Sequence, residues 1–124
     1  MAFSEMECLH VARYLVGTQQ GPCTKEASQR AAVSRAYIAA FVFVRNFEAS
    51  NHGYRIWGDA RDHRDLPEHL RRRGAIAIVS DLYDLASRRG EYDYNGVVLG
   101  TEAQKEQNVK DAIRLSQDLI RNIR

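Results

Sequence analysis

A chain of 124 residues suits one domain with one core, since domains of ~100 to 150 residues bury roughly two-thirds of their unfolded surface. Eighteen Lys and Arg against sixteen Asp and Glu leave a net charge of +2, too small to identify a nucleic-acid binder by charge alone. No apolar run approaches the ~18 residues of a membrane span, and Met1 to Glu7 carries two Glu and no basic cluster, so neither export nor membrane insertion is expected. The expected location is cytoplasmic, with Cys8 and Cys23 as reduced thiols.

In chain order, Ser4 and Glu7 have capping-box spacing, and Met6, Leu9, Ala12 and Val16 recur at helical intervals. The first helix is predicted from about Glu5 to Thr18. Gly21 and Pro22 stop it, and Thr24 is a good N-cap for a second helix. That helix carries the strongest stripe, Val33, Ala36, Tyr37, Ala40, Phe41, Val44 and Phe47, flanked by Ala31, Ala32 and Ala39, which permit close helix approach. From Ser50 to Asp65 the pattern lapses into Gly53, Trp57, Gly58 and scattered charge, predicting a loop. Pro67 suits the first turn of a short helix ending near Gly74. Ile76, Val79, Leu82, Tyr83 and Ala86, with Leu85 alongside, predict a helix from Ala75 to about Arg88, followed by irregular chain from Gly90 to Gly100. Thr101 and Gln104 make another capping box, and Val109, Ala112, Ile113, Ser116, Ile120 and Ile123 trace a last helix reaching nearly to Arg124. No segment alternates long enough for a strand, so the fold class is all-α, an antiparallel four- to five-helix bundle in a single domain over 1–124.

Sequence-specific catalytic signatures are missing: there is no phosphate-binding Gly-rich loop, His-Glu-x-x-His or Gly-x-Ser-x-Gly. His52, His63 and His69 share a region, with Cys23 as a conceivable fourth ligand, but lack metal-ligand spacing. Neither a metal nor a cofactor is expected. Fifteen of the eighteen cations are Arg, whose planar fork suits phosphates. Arg64, His69, Arg71, Arg72 and Arg73 form the one local basic concentration and are candidate nucleic-acid contacts, although Asp59, Asp62, Asp65 and Glu68 are interleaved, as on an ordinary solvated helix face. Tyr37, Phe41, Phe43 and Phe47 lie at core spacing, whereas Tyr54, Trp57 and Tyr92, beside Arg in loops, either contact bases or cap the bundle.

Three stretches resemble motifs of small prokaryotic proteins in the HEPN superfamily of helical bundles. Ser34-Arg35-Ala36-Tyr37-Ile38-Ala39-Ala40-Phe41 is similar to their second-helix Arg-(Ser/Ala)-Tyr-Tyr-Ala-Ala-Phe stretch. Asp62 to Leu70 followed by Arg71-Arg72-Arg73-Gly74 resembles their Asp-His-x-x-x-x-x-His-Leu and basic cluster. Arg89-Gly90-Glu91-Tyr92-Asp93-Tyr94 resembles Arg-Asn-x-Ala-Asp-Tyr, with Gly90 and Tyr92 as departures. The resemblance implies RNA or nucleotide binding in a defence or toxin–antitoxin setting. It also implies a homodimer, with a nucleotidyltransferase or antitoxin as possible partner. If the chain is an enzyme, it implies a weak metal-independent endoribonuclease with Arg89, Asp93 and Tyr94 as the catalytic group. Family ribonucleases pair an Arg with a downstream His; Tyr94 stands there instead, and a Tyr of ordinary pKa ~10 is a poorer base than His at ~6.5. Two other Arg-to-His spacings, Arg45 to His52 and Arg64 to His69, are no more than chance supplies in so Arg-rich a chain. The alternative is a non-catalytic helical dimerisation or regulatory module in which Arg89, Asp93 and Tyr94 form a buried network.

Overall fold

The computed structural model describes residues 5–17, 25–94 and 100–124, and all regular structure among them is helical. Five helices follow in order: α1 (Glu5–Gly17), α2 (Lys25–Asn51), α3 (Arg61–Arg72), α4 (Ile76–Tyr94) and α5 (Glu102–Asn122). None is long and apolar enough to cross a membrane. Ser4, Thr24, Cys23 and the Gly21-Pro22 stop lie outside the described residues.

The core forms around α2, which packs against α1, α4 and α5. Ala32, Val33, Ala36, Ala39, Ala40 and Val44 are fully buried; the alanines let neighbouring helices approach, and each buried valine contributes roughly 1.5–3 kcal/mol. Leu9 and Ala12 of α1, Val79, Leu82 and Leu85 of α4, and Val109, Ala112, Ile113 and Leu119 of α5 close over it. The Ser116 hydroxyl donates to the Ala36 carbonyl at 2.7 Å, joining α5 to α2. The expected capping box starts α5: Thr101 Oγ1 accepts from the Gln104 amide at 3.1 Å, and Gln104 Oε1 accepts from the Thr101 amide at 2.9 Å.

Two boundaries differ from expectation. The loop after α2 ends at Ala60, so α3 starts six residues before Pro67, which lies inside the helix. Backbone bonds from Asp62 to Asp59 and from His63 to Ala60, both 3.1 Å, open α3. An interior Pro costs about 3 kcal/mol relative to Ala, offset here by burial of Leu66, Pro67 and Leu70 on one face. At its C-terminus, Gly74 adopts φ 81°, and the Gly74 and Ala75 amides return to the Arg71 and Leu70 carbonyls in a Schellman arrangement. Helix α4 runs through Gly90 to Tyr94. Its end is anchored because Tyr92 is buried, its hydroxyl donates to the Lys105 carbonyl at 3.3 Å, and Arg30 donates to its carbonyl. The expected α4 stripe is also narrower, since Ile76 and Tyr83 are 58% and 52% exposed.

Candidate functional site

A cleft of about 300 Å3 opens where α2, α3 and α4 meet, lined by Tyr37, Ile38, Phe41, Val42 and Arg45 of α2, Gly58 and Asp59 of the preceding loop, His63 of α3 and Arg89 of α4. Helical spacing puts Tyr37, Phe41 and Arg45 on one face of α2. Tyr37 and Phe41 are buried as expected of core aromatics, yet they also form the cleft floor. The His63 ring stacks on Phe41 with centroids 4.1 Å apart, and its Nδ1 lies 2.8 Å from the Tyr37 hydroxyl. The Arg89 guanidinium sits over the Tyr37 ring, 5.1 Å from its centroid. Burial and the nearby Arg89 charge push the His63 pKa below its ordinary value, with Arg45 adding to the shift and Asp62 opposing it. Burial raises the Tyr37 phenol, against the pull of Arg89. At neutral pH the cleft therefore holds an uncharged imidazole, a protonated phenol and two guanidinium groups.

Arg89, singled out from the sequence, thus lines this cleft together with Tyr37 and His63, its guanidinium over the Tyr37 ring. The side chains of Asp93 and Tyr94 lie outside the described residues. His63 was legible as a histidine without ligand spacing and as part of the Asp-His stretch that resembles the family motif, but not as a partner of Tyr37. Its approach to Tyr37 depends on α3 folding back over α2, across 26 residues of chain. Among the described residues no group of three or more His, Cys, Asp and Glu is placed to hold a metal ion.

The basic concentration of α3 is divided by the fold. Arg73 makes a forked contact to Glu48, whose side chain has no exposed surface, with Nη2 to Oε2 at 2.9 Å and Nε to Oε1 as the second arm. His69 Nε2 meets the same carboxylate at 3.1 Å. His69 and Arg73 are therefore half-buried partners of a core carboxylate that fastens α3 to α2. Arg64, Arg71 and Arg72 are exposed, in surface pairs with Asp65, Glu68 and Glu68 respectively, and Arg71 also donates to the Tyr83 hydroxyl at 2.6 Å. A carboxylate at position 48, one turn beyond Val44 on the buried face of α2, was the available signal that a cation must come from elsewhere.

Between α2 and α3 the loop is tied to Asp62, itself 1% exposed. Asp62 Oδ1 accepts from the Tyr54 hydroxyl at 2.6 Å and the Trp57 amide at 2.9 Å, while Oδ2 accepts from the Gly58 amide at 2.9 Å. Burial pushes the Asp62 pKa up, but the bonds from Tyr54, Trp57 and Gly58 outweigh it and leave the group below its ordinary value. Burial and its bond to Asp62 push the Tyr54 phenol well above its ordinary value, so it stays protonated. Tyr54 and Tyr92 are buried and cap the bundle, whereas Trp57 is 49% exposed.

No family model matches the sequence, and neither a characterised protein nor a solved structure is detectably similar to it. The HEPN resemblance accordingly stands on its three motifs.

Proposed function

We propose that this chain is a HEPN-like, antiparallel helical-bundle protein of the cytoplasm that binds RNA or a nucleotide through the cleft between α2, α3 and α4, with metal-independent endoribonuclease chemistry at His63. The observation that supports this reading most is the His63 imidazole held against the Tyr37 hydroxyl at 2.8 Å, within a cleft also lined by Arg45 and Arg89. When His63 Nδ1–H donates to the Tyr37 oxygen, Nε2 carries the open lone pair and is the proton acceptor. It removes the ribose 2′-hydroxyl proton as the 2′-oxygen bonds to phosphorus and the bond from phosphorus to the 5′-oxygen breaks. The 5′-oxygen takes a proton from water, and the products are a 2′,3′-cyclic phosphate and a 5′-hydroxyl. Arg89 and Arg45 bind the phosphate and offset its charge in the transition state. The biological setting carried by the resemblance is defence or a toxin–antitoxin pair, with a nucleotidyltransferase or antitoxin as partner.

The test is cleavage and binding of an unstructured RNA. Losing a positioned acid or base typically costs 10²- to 10⁴-fold, and His63→Ala is expected to fall in that range with binding retained. Arg89→Ala should weaken binding and lower the salt slope by roughly 0.7 for each phosphate contact removed. Because the base must be unprotonated and its pKa is depressed, cleavage should rise with pH through a pKa below ~6.5 and then level off. Full cleavage by His63→Ala would refute the assignment.

The proposed oligomer is a two-fold homodimer. Ile76 and Tyr83 leave an exposed apolar strip two turns long on α4, which a second copy can cover isologously. Sedimentation should give twice the chain mass, falling to the monomer in Ile76→Asp; a concentration-independent monomer in the unaltered protein would count against pairing.

A further inference from the structure

Trp57 is the chain's one tryptophan, and although half exposed its indole is fixed in place. Its amide donates to the buried Asp62 at 2.9 Å, its Nε1 donates to Asp65 Oδ2 at 2.8 Å, and the Arg61 guanidinium lies 4.0 Å from its ring centroid. Arg61 is held in turn by Asp59, with Nη2 to Oδ2 at 2.7 Å. An exposed aromatic needs none of these restraints for stability alone, and each removes orientational freedom that a ligand would otherwise have to quench. Trp57 also lines a second cleft of about 310 Å3, with Arg55, Asp65, Glu68 and Arg72 among its other walls, a volume at the lower end of small-molecule sites. The two clefts flank the same loop, Gly58 and Asp59 facing one and Gly53 to Arg55 and Trp57 the other.

We infer that the Trp57 cleft is a subsite for one unpaired nucleobase bearing an exocyclic amino group. The base stacks on the indole, Asp65 or Glu68 accepts from its amino group, and the exposed guanidinium groups of Arg55 and Arg72 meet the attached phosphate. The inference deepens the reading of the chain as an RNA or nucleotide binder and rests on it. The chemistry follows from the wall: aromatic faces stack any base, carboxylates accept from amino groups such as cytosine N4, and arginine forks suit phosphate.

The lone tryptophan is its own reporter. Titrating the protein with cytidine, cytidine 5′-monophosphate, uridine and a ten-nucleotide unstructured RNA should quench its fluorescence saturably, with cytidine acting at lower concentration than uridine. Tighter binding of the RNA than of the monophosphate would mark the occupant as a strand; equal binding would mark a free nucleotide. Stacking is worth ~1 to 3 kcal/mol per base, so in isothermal titration calorimetry, which serves the variants that lack the indole, Trp57→Leu should weaken the preferred ligand roughly 5- to 150-fold, with an unchanged helical circular-dichroism signal. Trp57→Phe, which keeps a stacking face, should lose less. Cytidine has no phosphate and probes the base site alone, so its quenching in a protein that neither binds phosphodiesters nor cleaves RNA would uphold this subsite while the wider reading falls. Flat fluorescence with every ligand, an equal response to uridine, or undiminished affinity in Trp57→Leu overturns it.

Discussion

Replacing Arg73 with alanine is expected to destabilise the fold by about 3 kcal/mol, the lower end of the range for removing one partner of a buried ion pair. The Glu48 carboxylate has no exposed surface, and Arg73 is its forked partner; without the fork, the His69 ring at 3.1 Å is the contact that remains. Arg73 is itself 23% exposed on its side chain, so water entering its place limits the loss. Urea denaturation measures the effect. Adding Glu48→Gln to Arg73→Ala should recover part of the stability, because a neutral amide is less costly to bury than an unpaired carboxylate. Arg72→Ala removes only an exposed contact to Glu68 and should change stability by less than about 0.5 kcal/mol. Equal losses for Arg72→Ala and Arg73→Ala would remove Glu48 as the fastening point of α3.

Asp62→Ala should cost about 2 to 4 kcal/mol, since it takes the acceptor from three donors at once and an unpaired buried group costs about 1 to 3 kcal/mol. The Tyr54 hydroxyl, buried with Asp62, bears most of this, while the Trp57 and Gly58 amides lie nearer the surface and can turn to water. The same variant should lose the indole's fixed orientation, seen as a red shift and lower anisotropy of Trp57 emission. The pH dependence follows from the native pKa of Asp62 lying below its unfolded value. Its contribution is present above about pH 4 and is lost as pH falls through the lower native value. Acid unfolding of the unaltered protein should therefore flatten in Asp62→Asn, which cannot titrate. An unchanged acid limb would mean that other carboxylates govern it.

The sequence disclosed what is local. Thr101 and Gln104 stand three apart and cap α5 without help from elsewhere, and the apolar stripe of α2 announced the buried central helix. The start of α3 was hidden because its N-cap, Ala60, offers no side-chain acceptor, while Pro67 imitates a first-turn proline. Gly90 imitated a stop, but the burial of Tyr92 against α5 carries α4 past it. The candidate site was legible only in halves. Arg89 stood out by resemblance, whereas the meeting of His63, Tyr37 and Arg89 is set by how three helices pack. Glu48 shows the converse: its position on the α2 stripe demanded a partner, but nothing near it in sequence could say that Arg73 and His69 would supply one.

The two clefts share no lining residue, and both adjoin the loop that Asp62 ties down. In evolutionary terms they are separable. Substitutions at Arg55, Glu68 or Arg72 can retune what rests beside Trp57 while the walls around His63 stay constant, and a lineage that lost His63 would keep the indole platform whole. Asp62 is where that independence ends, because a change there loosens the ground under both.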